Sequence, residues 1–158
     1  MNKIFRLLLI VISSFLVFCS WSMGGGITLK ALRQKVDFLR KNEPTIEKVE
    51  HGKNMYVFKD LWTTVAIFAK SDSAKISQIN VQVKANNEQE TSKAFIYGIS
   101  SIMLISEGIN GNTEYSDTLN RWLFNEIAKR EKGASTLFGK TNIALDIVDN
   151  DHFQVAIF

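Results

Sequence analysis

The stretch 94–105 constrains the fold of this chain more than any other, because it is apolar nearly all the way round at helical spacing. Its sequence is Ala-Phe-Ile-Tyr-Gly-Ile-Ser-Ser-Ile-Met-Leu-Ile, a pattern typical of a helix that is buried on most sides. Its twelve residues are fewer than the roughly 20 apolar residues that span a bilayer. Strand-like segments precede and follow it, so the simplest fold packs them against this helix as a sheet.

The amino-terminus has the pattern of a secretory signal peptide. Lys3 and Arg6 provide a basic start without an acid, an apolar run follows, and Ser20 and Ser22 are the small residues before a cut at Met23. This is the order of regions in a signal peptide, whose apolar part is about 7–15 residues long. The sequence therefore predicts a signal peptide over 1–22, a flexible spacer over 23–27 and a single domain over 28–158.

Two alternatives to cleavage and release stay open. An apolar helix that continues to Trp21 or Met23 would act as an uncleaved anchor. Cys19 would carry lipid if the chain were a bacterial lipoprotein, but those proteins have a small residue directly before the cysteine, and here it is Phe18. We expect an exported bacterial protein, periplasmic or secreted, with membrane contact only if the amino-terminus is retained.

Charge and composition exclude several classes of function. The chain has 19 Lys and Arg and 16 Asp and Glu, and loss of the signal peptide leaves a domain near +1. A nearly neutral domain gives no electrostatic argument for binding nucleic acid. Without Cys19 the domain has no cysteine, and it has only His51 and His152 as histidines. We therefore expect no disulfide, no thiol nucleophile, no zinc or other metal, and no cofactor.

No motif for catalysis is present. The sequence lacks H-E-x-x-H, C-x-x-C, G-x-S-x-G, a glycine-rich phosphate loop and an EF-hand loop. A pair of carboxylates can still meet in the fold without any sequence signature. The hypothesis of a hydrolase therefore stays open as an alternative.

Hydrophobic periodicity gives the order of the elements. A helix begins after Thr28 and ends before Pro44, four strand-like segments follow up to Lys84, and the central helix ends at Gly108. A third helix ends at Gly133, and two strands close the chain. The order α-β-β-β-β-α-α-β-β predicts an α+β fold, one antiparallel sheet of about six strands with helices on one face.

The alternation of side chains fixes the register of the third and fourth strands. Placing Ile79 opposite Ile67 and Val81 opposite Val65 puts all the apolar residues on one side of the sheet. The polar residues of the fourth strand then lie on a solvated face, and they are Gln78, Asn80, Gln82 and Lys84. In the same register Trp62 points to the side of Phe68. An exposed Trp62/Phe68 pair would mark a binding surface, unless the first helix covers it.

The last two strands contain the second candidate site. Pairing Ile147 with Phe153 leaves Asp149-Asn150-Asp151 as a three-residue loop, with Asn150 or Asp151 in the left-handed conformation. The same register pairs Leu145 with Val155 and Ile143 with Ile157. His152 then stands beside two carboxylates, which would raise its pKa and attract a cation or a basic partner. Hairpin loops use Asp and Asn in any case, so an ordinary polar turn is the simpler interpretation of Asp149, Asp151 and His152.

Taken together, the residues favour a non-catalytic exported domain that binds a protein partner or a small ligand. The alternatives are an exported hydrolase and a domain tethered to the cell envelope by an uncleaved amino-terminus.

Overall fold

The computed structural model describes residues 26–130 and 132–158. The predicted signal peptide, Cys19 and the start of the spacer lie outside the described residues. Ile27, at the end of the predicted spacer, packs against the core, and its carbonyl accepts a hydrogen bond of 3.0 Å from the backbone of Ile76. The ordered fold therefore includes Ile27, one residue before the predicted boundary.

The described residues form four α-helices, seven strands and two single 3-10 turns, Glu50–Gly52 and Glu88–Glu90. The helices are α1 (Leu29–Lys35), α2 (Asp37–Lys41), α3 (Thr91–Asn110) and α4 (Ser116–Lys129). The strands are β1 (Thr45–Lys48), β2 (Asn54–Lys59), β3 (Thr63–Ala69), β4 (Ile76–Lys84), β5 (Ala134–Phe138), β6 (Thr141–Asp149) and β7 (His152–Ile157).

The seven strands form one sheet in the order β1-β2-β3-β4-β7-β6-β5, and every neighbouring pair is antiparallel. This confirms the predicted α+β fold with an antiparallel sheet. The helices and alternate residues of the strands share one buried cluster, so the helices lie on one face. The sheet has one strand more than predicted, because β5 is short and only weakly alternating, and it gave no strand signal of its own.

The first helix begins as predicted but is broken in the middle. The hydroxyl of Thr28 accepts a hydrogen bond of 3.1 Å from the backbone N–H of Ala31, as an N-cap does. Val36 has extended backbone angles (φ −110°, ψ 106°) and separates α1 from α2. Leu32, Val36 and Leu39 are all buried, so the apolar residues of both α1 and α2 face the sheet.

Helix α3 is longer and more exposed than the sequence indicated. It continues past Gly108 to a left-handed Gly111 (φ 77°), which is the residue that ends it. Ile99, Ile102 and Ile105 are buried, as expected for a core helix, but Ile96 and Leu104 are 56% and 49% exposed. The prediction of a helix buried on most sides is therefore wrong: α3 lies over the sheet with one face and presents the other to solvent.

Helix α4 also ends earlier than predicted. Its last residue is Lys129, and Arg130, in the left-handed conformation (φ 55°), caps it in place of the predicted Gly133. In the part of the chain that the structure describes, no helix is long and apolar enough to cross a membrane.

Both predicted strand registers are confirmed. Ile67 lies opposite Ile79 and Val65 opposite Val81, and Ile147, Leu145 and Ile143 lie opposite Phe153, Val155 and Ile157. The predicted turn of the last hairpin is wrong in detail. Asp149 pairs with His152 after an irregularity near Val148, which leaves a two-residue turn, and neither Asn150 nor Asp151 has a positive φ. The irregularity absorbs the extra residue, so no left-handed residue is needed there.

Candidate functional site

The face of the sheet opposite the helices is the most extended candidate site. We call it the outer face, and among the described residues no helix packs on it. Strand registers align its residues in rows, so that Ala66, Asn80, Ala156 and Ala144 stand side by side across β3, β4, β7 and β6. The outer face includes Met55, Val57, Lys59, Thr64, Ala66, Phe68, Gln78, Asn80, Gln82, Lys84, Asn142, Ala144, Asp146, His152, Gln154 and Ala156.

One half of the outer face is apolar. Met55, Val57 and Ala66 form a buried cluster, and Val49 and Phe68 pack against it. This cluster contains no helix residue and is separate from the main core. The side chains of β2 and β3 are therefore buried by one another across neighbouring strands, which is how cross-strand pairs stabilise a sheet.

The other half of the outer face is polar, and its side chains are hydrogen-bonded in pairs. The Gln78 amide donates to Asn80 Oδ1 at 2.7 Å, and the Gln154 amide donates to Asp146 Oδ2 at 3.2 Å. Each side-chain amide has two donors and an acceptor with two lone pairs. One bond per pair therefore leaves several donors and acceptors of this half available to a partner.

His152 lies at one end of the polar half. Its Nε2 lies 2.8 Å from Nε2 of Gln82, and the residue is only 2% exposed. Burial lowers the pKa of His152, and Lys84 lowers it further, while Asp149 and Asp146 act in the opposite direction. The predicted rise in this pKa is therefore wrong. The cause is desolvation of the imidazolium, which outweighs the nearby carboxylates.

This lowered pKa predicts a loss of stability in acid. Unfolded histidine titrates near 6.5, so as the pH falls below about 6.5 the unfolded chain binds the proton first, and the folded state loses stability until its own, lower pKa is reached. We expect the unfolding free energy of the wild type to fall more steeply between pH 7 and pH 5 than that of His152→Gln. Urea unfolding at the two pH values measures both.

The exposed His51 provides a control for this pH effect. Its φ is 62°, a conformation that asparagine tolerates, so His51→Asn removes the other histidine without straining the backbone. If the wild type, His152→Gln and His51→Asn all show the same pH dependence, His152 is not the group responsible.

Asp149 and Asp151 are neighbouring carboxyls at the last turn. Asp149 Oδ1 accepts a hydrogen bond of 3.2 Å from the backbone N–H of Asp151. A hydrogen bond between the two side chains lowers the pKa of Asp149 and raises that of Asp151, as expected when two carboxyls share one proton. The pair lies on an exposed turn outside both of the cavities described below. Across residues 26–130 and 132–158, no three His, Cys, Asp or Glu side chains are grouped to hold a metal.

Trp62 lies on the opposite side of the sheet from Phe68, so the predicted Trp62/Phe68 pair does not form. The backbone turns before β3, where the N–H of Asp60 donates a hydrogen bond of 2.8 Å to the carbonyl of Thr63. Because Trp62 lies in this turn, its side chain does not follow the alternation of the strand. The indole donates to Glu90 Oε2 at 3.0 Å and packs edge-on against Tyr97 of α3, with ring centroids 6.0 Å apart. The covering helix is α3 and not the first helix.

The polar side chains around Trp62 also form hydrogen bonds with one another. Hydrogen bonds from Trp62 and Asn86 lower the pKa of Glu90. The Tyr97 hydroxyl bonds to Asp60, which raises the pKa of Tyr97 to about 12. Trp62 therefore anchors the start of α3 to the sheet.

The remaining predicted site residues lie at opposite ends of the outer face. Phe68 stands opposite Gln78 at one end of β4, and His152 stands opposite Lys84 at the other. The polar side chains of β4 connect the two ends. Sequence reasoning missed Gln154 of β7 and Asp146 of β6. Their own alternation was visible, but only the adjacency of β7 and β4 places them beside Gln82.

Two concave sites among the described residues are small and lie away from the outer face. A shallow cleft of about 230 Å³ lies between α1 and α3 and includes Lys35, Leu104, Glu107 and Gly108 in its lining. A second one, lined by residues of α3 and α4, measures about 10 Å³. Ligand pockets usually measure about 300–1,000 Å³, so neither cavity is of the usual size for a substrate site.

Comparison of the chain with protein-family models, with curated proteins and with solved structures gives no match.

Proposed function

We propose that this chain is an exported, non-catalytic domain that binds a protein partner on the outer face of its sheet. The observation that carries the proposal is a sheet face without a covering helix. It joins a buried apolar cluster on β2 and β3, with the partly buried Phe68 against it, to an amide-rich surface on β4, β7 and β6. On this face Phe68 supplies apolar surface that a partner would bury, and the side-chain amides would fix the orientation of that partner.

The shape of this surface favours a protein over a small ligand. The outer face crosses five strands about 4.8 Å apart and runs about six residues along β4, so it measures about 20 Å in each direction. That is room for a helix or a pair of strands. The row of Ala66, Asn80, Ala156 and Ala144 supplies small side chains at the centre, which lets a partner approach the sheet closely.

Cross-linking in cells tests the proposal. We expect the wild type to give a discrete protein adduct after chemical cross-linking and purification. Asn80→Arg places a long charged side chain at the centre of the outer face and should reduce that adduct about tenfold, as loss of a central interface contact does. Asn125→Arg makes the same change on the exposed side of α4 and should leave it unchanged. Equal adducts from both variants would contradict the proposal.

Export is the second part of the proposal and rests on the sequence. Its support is the basic start, the short apolar run and the small residues Ser20 and Ser22. We expect cleavage near Ser22, which gives a mature chain that begins close to Met23. Intact-mass measurement of protein recovered from cells decides this. A mass that retains 1–22 would favour the tethered domain instead, and a lipid adduct on Cys19 would favour a lipoprotein.

A further inference from the structure

We propose that the free edge of β5 binds an extended segment of a partner protein as an eighth strand, and that this segment carries acidic residues at both ends. The site is distinct from the centre of the outer face, and the inference does not depend on binding there.

The backbone of β5 has unpaired groups along its outer side. β5 is the last strand of the sheet and pairs only with β6. The two-residue turn at Gly139 and Lys140 makes Phe138 and Thr141 the closing pair of the hairpin, and pairs next to such a turn are hydrogen-bonded. By alternation, the N–H and C=O of Ser135 and Leu137 point away from β6. No backbone hydrogen bond from the described residues outside the sheet reaches them.

The two edges of the sheet differ in how they are protected. The edge strand β1 has four residues, follows Pro44 directly and contains Glu47 and Lys48. Proline and charge are among the usual means of preventing strand addition. Length does not separate the two edges, because β5 has only five residues. β5 contains no charge and no proline, and its Leu137 is 63% exposed. The β5 edge is therefore the one that can accept a strand.

The lysines near the two ends of β5 indicate which kind of segment this edge binds. Lys132 and Lys140 are exposed and stand four residues before and four residues after Thr136, the centre of β5. Both lysines lie just beyond the ends of β5. A second copy paired antiparallel about Thr136 would bring each Lys132 towards the Lys140 of the other copy, where like charges repel. A segment with acidic residues four positions on either side of its centre would place a carboxylate near each lysine in either strand direction.

The side chains of β5 would contribute to the same site. Ser135 stands opposite Ala144 of the outer face, so Ser135 and Leu137 extend that face to its edge. An added strand would bond to the backbone of these two residues and place alternate side chains beside them, which is the mode of recognition known as β-augmentation.

A labelled peptide tests the proposal on the unmodified protein. The probe is Glu-Thr-Val-Thr-Val-Thr-Val-Thr-Glu, whose acidic ends lie four residues from its centre, and fluorescence anisotropy at low salt measures its binding. We expect saturable binding, and about tenfold weaker binding of the same peptide with lysine at both ends, since two attractive charge pairs become repulsive. Absence of binding, or equal binding of both peptides, would overturn the proposal.

Backbone methylation of the peptide separates strand addition from simple charge attraction. In an added strand only alternate residues bond to β5. One series of peptides carries N-methyl groups on the third, fifth and seventh residues, and the other carries them on the fourth, sixth and eighth. We therefore expect one series to lose binding and the other to keep it. Equal effects of the two series would overturn the proposal, as would a stable dimer of the protein in sedimentation.

A charge-reversal variant completes the test. Lys132→Glu combined with Lys140→Glu should invert the preference, so that the lysine-ended peptide binds about tenfold more tightly than the glutamate-ended one. Lys48→Glu combined with Lys70→Glu makes the same change in net charge at exposed positions away from β5 and should keep the wild-type preference. An unchanged preference in the first variant, or an inverted one in the second, would contradict the assignment of the site to β5.

Discussion

Replacing Phe153 with alanine is expected to lower the unfolding free energy by about 3–5 kcal/mol, the usual range for a buried phenylalanine. Phe153 is fully buried in β7, and its ring meets that of Phe95 from α3 edge-on, with centroids 4.9 Å apart. The substitution leaves a cavity between the central helix and the middle of the sheet. Domains of this size are stabilised by about 5–15 kcal/mol in total, so urea unfolding should show a large shift of the midpoint.

Phe68→Ala is the matched control for this prediction. Phe68 lies on the outer face and is half-buried against Met55, Val57 and Ala66, so its removal should cost about 1 kcal/mol, near the average for point substitutions. If the two variants lost the same stability, the outer face would be packed as tightly as the core, and an open binding surface there would be excluded.

Gly98→Ala is expected to destabilise the domain by about 2–3 kcal/mol, although alanine favours a helix by about 1 kcal/mol relative to glycine. A Cβ at position 98 would lie 2.6 Å from Cγ1 of Val83 in β4 and closer still to Cγ2. Val83 is fully buried and β-branched, so it has few rotamers with which to give way. Thermal or urea unfolding measures the loss.

Two further variants show whether Val83 is the cause. Ser100→Ala, on the exposed side of the same helix, should change stability by less than about 0.5 kcal/mol. In a Val83→Ala background Gly98→Ala should cost clearly less than in the wild type, because the two residues are in contact. A stabilising Gly98→Ala would show that α3 does not press on β4 as described.

The sheet registers were predictable from the sequence because side chains alternate with a period of two. A one-residue slip would have exposed Ile79 and Val81, and the same argument fixed Phe153 opposite Ile147. The order of the strands was not predictable in this way. Alternation does not say that β7 pairs with β4, since that contact joins segments separated by two helices, and β5 is too short to give a strand signal by itself.

The errors at the candidate site also have physical causes. The alternation of side chains in β3, continued to Trp62, predicts that Trp62 lies beside Phe68. The prediction fails because the backbone turns before Thr63. The predicted rise in the pKa of His152 is wrong because a sequence shows the neighbouring acids but not the burial that lowers this pKa. The polar side of β4 was predicted correctly from its own residues. Its extension over β7 and β6 required the fold.

A photo-reactive amino acid at the centre of the outer face tests the central claim most directly. Benzoylphenylalanine is substituted for Asn80 in one strain and for Asn125 in another, and cells that express the protein are irradiated. We predict a specific protein adduct from position 80, at the centre of the outer face, and none above background from position 125 on α4. Adducts from position 125 alone, or from neither position, would contradict the account of the outer face as a protein-binding surface.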